Sequence, residues 1–390
     1  MKDLEHLRKS VQPRLVQIRR EIHKHPELAY EEQNTSKLII NELKRIGIKD
    51  IQTNIGRTGV VALIRGSLPG KTIAIRSDMD ALPIQEENET SYKSNTNGKM
   101  HACGHDGHIA IVLGVAYLLH SARDTIKGNV KLIFQPAEEV TPPDDGARLM
   151  IQQGVLQNPK VDAIIGLHLY SKANPGHISF KPGVVMSSIN EYNITLTGKE
   201  AHGSAPERGI SSILAASDLV LGFEERMLEG TQEYASNNIG VIRGGTAMNV
   251  VPKETFINGS FRSMSEEDQD QIVDNIKEMC KTVAKNRGVK IKLELRPPSK
   301  LVVNDSYLVD LFSPVVKTVT NSYDQTFVNT GSEDFGEYTE HIPGVFFFLG
   351  CSMGNPNQLA HSGSFDMNEE VLFTGSLLLA RCAMTYLNQK

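Results

Sequence analysis

Apolar residues recur at Leu4, Leu7, Val11, Leu15, Ile18 and Ile22, with polar and charged residues between them. That spacing predicts one amphipathic helix over residues 4–22. Pro26 closes the segment, since proline cannot continue a helix. A second helix is predicted over Glu32–Ile46. Short β-rich runs follow at Thr58–Ile64, Lys71–Arg76, Asn129–Gln135 and Ala163–His168, with helical patterns at Ile109–His120 and Gly146–Gln153. Strands alternating with helices predict an α/β domain with a largely parallel sheet.

The pattern changes near Gly183. From Glu191 it reads strand (Glu191–Thr197), helix (Ile210–Arg226), strand (Ser236–Gly244), strand (Thr255–Arg262), helix (Glu266–Asn286) and strand (Lys290–Leu295). This β-α-β-β-α-β order is the ferredoxin-like arrangement and can bury a core of its own. After Pro297-Pro298 the pattern returns to a helix (Tyr307–Thr320), a strand (Val345–Leu349) and a last helix (Glu369–Leu387). The expected organisation is a discontinuous domain, 1–185 and 299–390, interrupted by an inserted domain, 186–298. A chain of 390 residues is too long for one core, which fits two domains.

Composition narrows the function classes. A net charge of −5 with 22% charged residues gives no basic patch for nucleic acid. The first residues (Lys2, Asp3, Glu5, Arg8, Lys9) are charged and lack an apolar stretch, which argues against a signal peptide. The longest apolar run, near Ile109–Leu119, is too short to span a bilayer. Cys103, Cys280, Cys351 and Cys382 are scattered and form no disulfide framework, so a reducing cytoplasm is expected.

Candidate chemistry concentrates in Met100–His108, where a thiol, three imidazoles and a carboxylate fall within nine residues. Thiolate, imidazole and carboxylate are ligands of divalent ions such as zinc and manganese. Cys103 and His105 are two residues apart and would face one ion if the loop is extended; a buried cysteine beside a satisfied histidine is the bland alternative. His101 and His108 fit supporting roles better than ligation. Glu138 and Glu139 follow an apolar strand, where a parallel sheet collects functional groups. In an extended loop the two would diverge, one toward a metal and one toward a proton. His168 ends a similar run, and a strand-capping histidine is the alternative. His361 lies in a polar loop. Asp78 and Asp80, also after a strand, would orient a metal-bound histidine or bind the metal itself. Gly331-Ser332-Glu333-Asp334 offers backbone amides to a ligand or, equally, a helix N-cap.

Together MHACGHDGH, FQPAEE, GLHLY, GKEAHGSAP, NVVP, GSFR, GSEDF and AHS resemble the aminoacylase/carboxypeptidase family of dinuclear metallohydrolases, peptidase family M20. The amidohydrolase branch is the nearest match, with hippurate hydrolases, indole-acetyl-amino-acid hydrolases and N-acetyl-diaminopimelate deacetylases. The resemblance runs from Arg19 in RREIHKHPEL to the last helix. It implies a catalytic α/β domain with a central mixed sheet flanked by helices, and an inserted ferredoxin-like α+β lid that dimerises. It implies two divalent ions per subunit, manganese or zinc first and cobalt or nickel as alternatives. Cys103, His105, Glu139, His168 and His361 match the ligands, with Cys103 bridging. Glu138 matches the general base. His202, Asn249 and Arg262 fall on substrate-binding positions, with Gly331 and Ser332 as further candidates. His202 would stabilise the oxyanion from the partner subunit of a homodimer. The expected substrate is a small N-acyl-amino acid. The Val140–Gly146 turn is longer than the family's usual one, and Ser211 stands where Asp is common; both bear on substrate identity. Three other readings are a cysteine hydrolase with Cys103 as nucleophile, a metal-binding protein without catalysis, and a dipeptidase or carboxypeptidase of the same fold.

Overall fold

The computed structural model describes residues 4–389. Lys2 and Asp3, and the side chain of Leu4, lie outside the described residues. The chain divides into two compact units. One comprises residues 1–185, 302–328 and 334–390; the other comprises 186–301 and 329–333.

In the first unit the opening helix runs Leu4–Lys24 and buries Val11, Leu15, Ile18 and Ile22, the stripe its sequence spacing predicts. The next helix, Gln33–Ile46, buries Ile39 and Leu43 and stops at Gly47. There a φ of 103° lets the glycine amide reach the carbonyls of Leu43 and Lys44. The sheet has eight strands, in the order Asp50–Ile55, Gly59–Arg65, Lys127–Gln135, Leu68–Asp78, Ala163–Tyr170, Gly344–Gly350, Ile178–Ser179 and Tyr323–Asp324. Its centre is parallel: Leu68–Asp78 pairs that way with both Lys127–Gln135 and Ala163–Tyr170, and Gly344–Gly350 with Ala163–Tyr170. Antiparallel pairs lie to either side, so the sheet is mixed rather than largely parallel.

The central strands are apolar on both faces because helices cover both. Ile73, Ile75, Val130, Leu132, Phe134 and Ile165 are all fully buried. Each contributes about 1.5–3 kcal/mol of transfer free energy, which is what holds the strand ends in place. Helix His105–Ser121 is apolar nearly all round and packs in the same core as the last helix, Val371–Leu387. It starts four residues before the position its apolar run suggested.

The second unit has a four-stranded antiparallel sheet, in the order Ala235–Gly244, Glu254–Ser263, Ser188–Thr197, Lys290–Leu295. Helices Ser212–Arg226 and Glu266–Arg287 supply its core with Leu219, Phe223, Ile272 and Ile276. Ser211 is the N-cap of the first: its hydroxyl accepts from the Leu214 amide at 3.3 Å. Serine and aspartate are both good N-caps, so this position keeps its local role with either residue. In Glu254–Ser263 burial alternates strictly, with Thr255, Ile257, Gly259, Phe261 and Ser263 inward. Arg262 therefore belongs to the opposite face.

Among the described residues no helix is long and apolar enough to cross a membrane. All four cysteines are free and buried.

Candidate active site

Asp78 and Gln135 are the last residues of adjacent parallel strands, and His168 lies near the end of a third. The loops that follow these ends carry the remaining groups, as open α/β sheets arrange them. Cys103 and His105 converge by a turn, not by strand alternation. Gly104 takes φ 87°, a conformation that favours glycine, and His105 begins the helix. Glu138 and Glu139 also sit in a turn, not an extended loop. Their carboxylates do not diverge: Glu138 Oε2 and Glu139 Oε1 lie 3.8 and 4.0 Å from the same nitrogen, His105 Nε2.

His105 and His168 are oriented alike. His105 Nδ1 lies 2.9 Å from the Asp80 carbonyl oxygen, and His168 Nδ1 lies 2.7 Å from that of Leu169. A carbonyl only accepts, so both Nδ1 atoms carry a proton, and in the neutral rings both Nε2 atoms are bare. His168 Nε2 is 3.4 Å from Cys103 Sγ. Among the described residues, His105 Nε2 is buried without a hydrogen-bond partner. His361 comes from the far end of the chain; its amide donates to the Ala102 carbonyl at 2.8 Å, and its Nε2 is 3.2 Å from Glu139 Oε1.

The donor atoms therefore form two triplets that share one thiol. Cys103, His105 and His168 make one, and Cys103, Glu139 and His361 the other, with all atoms of each within 4.8 Å of one another. His105, Glu138 and Glu139 form a third such group. A sulfur, imidazole and carboxylate set with a bare buried nitrogen fits a pair of divalent cations.

Neighbouring charges and burial shift these donors in different directions. Burial and Glu139 push the Cys103 thiol up. Contacts with Cys103 and Glu139 push His361 up to about 10. Burial works against charge on His105, yet Asp78, Asp80 and Cys103 hold its pKa well above the usual range. His168 goes the other way, to about 3, through burial and the neighbouring His108.

Asp78 and Asp80 divide the support. Asp78 sits 2.6 Å from His108 Nδ1, and the Leu169 amide donates to His108 Nε2 at 2.9 Å, so both nitrogens of that ring are satisfied. Burial would raise the Asp78 pKa, but His105, His108 and Arg76 hold it well below the carboxylate range. The Asp80 carboxylate accepts from the amides of Glu138 and Glu139, both at 3.0 Å. His101 is buried, neither ring nitrogen has a hydrogen-bond partner among the described residues, and burial lowers its pKa to about 4.

Sequence reasoning missed two buried networks around this centre. Arg76 meets Asp78 at 2.8 Å, Asp334 at 2.6 Å and Gln135 at 3.0 Å. Asp334 stands at the N-cap position of helix Phe335–Thr339, as the N-cap alternative has it, but without a side-chain capping bond; its carboxylate serves Arg76, Gln135 and the Ala147 amide. Arg19, with no exposed surface, meets Asp106 at 2.8 Å, Asp366 at 2.9 Å and Glu369 at 3.3 Å. It ties the first helix to the start of His105–Ser121 and to the segment after His361. The available signal was an arginine within the apolar stripe Leu15–Ile18–Ile22, four residues before His23, which also meets Asp106 at 2.7 Å.

The remaining candidates lie in the second unit. His202 and Val250 pair in a two-residue ladder, which brings Asn249 alongside; the Gly203 amide donates to the Asn249 carbonyl at 2.7 Å. A Cβ on Gly203 would come within 2.8 Å of the Asn249 backbone, so glycine permits this approach. His202 and Asn249 are exposed. The Ser204 amide donates to His202 Nδ1 at 3.2 Å, so the proton of the neutral ring sits on Nε2. Arg262 is half-buried and donates to Ser332 Oγ at 3.0 Å, next to Gly331.

Residues 74–385 match the family described as peptidase family M20/M25/M40. The chain belongs to that family. The M20 assignment is carried along the whole chain by its relatives. An IAA-amino acid hydrolase of Arabidopsis thaliana is 38% identical over 96% of this chain and 86% of its own. Thermostable carboxypeptidase 2 of Saccharolobus solfataricus is 34% identical over 98% and 97%. Among solved structures, a dinuclear metal binding peptidase from the M20 family of Bacillus subtilis superposes with a TM-score of 0.86 and 32% identity, covering 98% of this chain and 100% of that one. The M20 chain described here is thus a hydrolase of amide bonds.

Proposed function

We propose that the protein is a metal-dependent amidohydrolase that cleaves N-acyl-amino acids into a carboxylic acid and a free amino acid. The observation that carries this reading is the pair of donor triplets meeting at the Cys103 thiol, with a further carboxylate, Glu138, beside them. Cys103, His105, Glu139, His168 and His361 would hold two divalent ions, Cys103 between them. Manganese or zinc suits the mixed donors, with cobalt or nickel as alternatives. Such ions, when bound, polarise an amide carbonyl and acidify water.

The chain's own residues do the rest. Glu138 takes the proton of the attacking water and passes it to the leaving amine nitrogen. Asp80 fixes Glu138 and Glu139 through their amides, and Asp78 fixes His108. His202 offers its Nε2–H to the developing oxyanion. Arg262 makes no ion pair among the described residues, and burial lowers its pKa. A desolvated guanidinium of that kind suits a substrate carboxylate, with Asn249, Gly331 and Ser332 completing recognition. Residues 186–298 would act as a lid and join two subunits, and His202 would serve the partner's site. Four free, buried thiols favour the cytoplasm.

Metal-stripped protein reloaded with zinc, manganese or cobalt tests the reading. N-acetyl-, N-benzoyl- and indole-acetyl-amino acids should be hydrolysed faster than dipeptides with a free amino group. The reverse preference would favour the second reading, a carboxypeptidase or dipeptidase, to which the Saccharolobus relative points.

A further inference from the structure

Three consecutive backbone amides carry the turn that presents Glu138 and Glu139, and each meets a buried carboxylate. Asp80 takes the last two. The first, on Ala137, donates to Glu32 Oε1 at 3.0 Å across 105 positions of sequence. Glu32 has no exposed surface. Its other oxygen accepts from the Thr58 hydroxyl at 2.6 Å. The Ser36 hydroxyl meets the carbonyls of Glu32 and Thr58, which locks the pair from behind. Ala137 sits at φ 53°, in the left-handed region that residues with a Cβ rarely adopt. Such a conformation persists where its surroundings over-determine it.

We propose that Glu32 is a positioning residue: by holding the Ala137 amide it aims the carboxylates of Glu138 and Glu139. The inference rests on the roles proposed above for that pair. What the turn needs from Glu32 is an acceptor of the right reach. Burial pushes the Glu32 carboxyl up to about 7, against the hydrogen bonds from Thr58 and Ala137. An amide oxygen would serve the Ala137 N–H as well, and the amide nitrogen of glutamine would face a hydroxyl able to accept.

Two variants separate reach from charge. Glu32→Gln keeps the reach and loses the charge; Glu32→Asp keeps the charge and is one methylene short. Both are compared with wild type and Glu138→Ala. The readouts are zinc affinity of the metal-stripped protein, by chelator competition, and kcat and KM on an N-acyl-amino acid at saturating metal. Glu32→Gln should stay within about threefold of wild type throughout. Glu32→Asp should lose about tenfold or more in zinc affinity and in kcat, with KM within about threefold, as is usual when support behind a metal ligand is removed. Equal losses in both variants, no loss in either, or the reverse order would overturn the proposal. If Glu32→Asp does not fold, Thr58→Val replaces it. That variant removes the hydroxyl steadying Glu32 and should show the same losses at more than about threefold; values within about threefold of wild type there overturn the proposal. The zinc measurement needs no turnover. Full activity in Glu138→Ala would therefore remove the general-base reading while the role of Glu32 is still decided by affinity.

Discussion

His105 and His168 donate from Nδ1 to backbone carbonyls, whereas His202 accepts at Nδ1 from the amide of Ser204. The same side chain is thereby oriented in opposite ways in the two units. As neutral rings the first two present bare nitrogens, which a cation can use, and the third presents an N–H, which an oxyanion can use. The units differ in the same sense throughout. In the first, Cys103, His105, Asp78 and Asp80 are buried and braced by neighbours; in the second, His202 and Asn249 are exposed and Arg262 has one hydroxyl partner. Changes to the buried groups of the first unit should therefore disturb metal or fold. Changes in the second should alter turnover or substrate binding and leave both intact.

The largest effect expected is on turnover. Glu138→Ala should lose about a hundred- to ten-thousandfold in kcat while keeping its metal, and Glu139→Ala should lose metal as well. Elemental analysis beside steady-state kinetics checks both, and wild-type kcat in Glu138→Ala would remove it as the base.

Next is the buried arginine. Arg19→Met leaves Asp106, Asp366 and Glu369 without their cation, and stability should fall by about 3–5 kcal/mol in denaturant unfolding. A change under about 1 kcal/mol would show that this cluster does not hold the helix His105–Ser121 to the His361 segment.

His202→Ala should cost about a hundred- to a thousandfold in kcat with metal content unchanged. Mixed with Glu138→Ala under verified subunit exchange, it should regain activity, because one site of each heterodimer is then intact. No recovery would place His202 in its own subunit's chemistry or outside the chemistry altogether.

Arg262→Ala should weaken substrates with a free carboxylate about a hundredfold more than their carboxamides, with thermal stability unchanged. Equal losses for both would end its role as the carboxylate reader.

The smallest effect is one of pH. The Asp324 carboxyl is held at about 2: its partial burial works against this, but His177, Ser179 and the amides of Thr326 and Phe327 outweigh that cost. A depressed carboxylate contributes stability above its unfolded pKa of about 4 and loses it as pH falls through the folded value. Asp324→Asn should therefore cost about 1 kcal/mol or less at neutral pH, and the difference should close between about pH 4 and pH 2. A difference that persists undiminished at pH 2 would exclude a charge effect.

Periodicity is a local property, so the long elements were legible in the sequence. The stripe Leu7–Ile22 and the runs Asn129–Gln135 and Ala163–His168 announced themselves, and each lies within an observed helix or strand. The strand Asp50–Ile55 is polar and mostly exposed, and Ile178–Ser179 and Tyr323–Asp324 are two residues each; none carries enough pattern to be read. The candidate residues were named from their types and motifs, because ligand chemistry needs particular atoms. How those atoms meet depends on neighbours far away in sequence. A left-handed Gly104 turn brings Cys103 to His105, the Ala102 carbonyl receives the loop of His361, and two carboxylates from distant segments fix the turn of Glu138 and Glu139. The sequence by itself determined which donors exist and which elements carry them. The folded backbone decided which nitrogen of His105, His168 and His202 takes the proton in the neutral ring: a distant carbonyl sets it for His105, and the local chain conformation for His168 and His202.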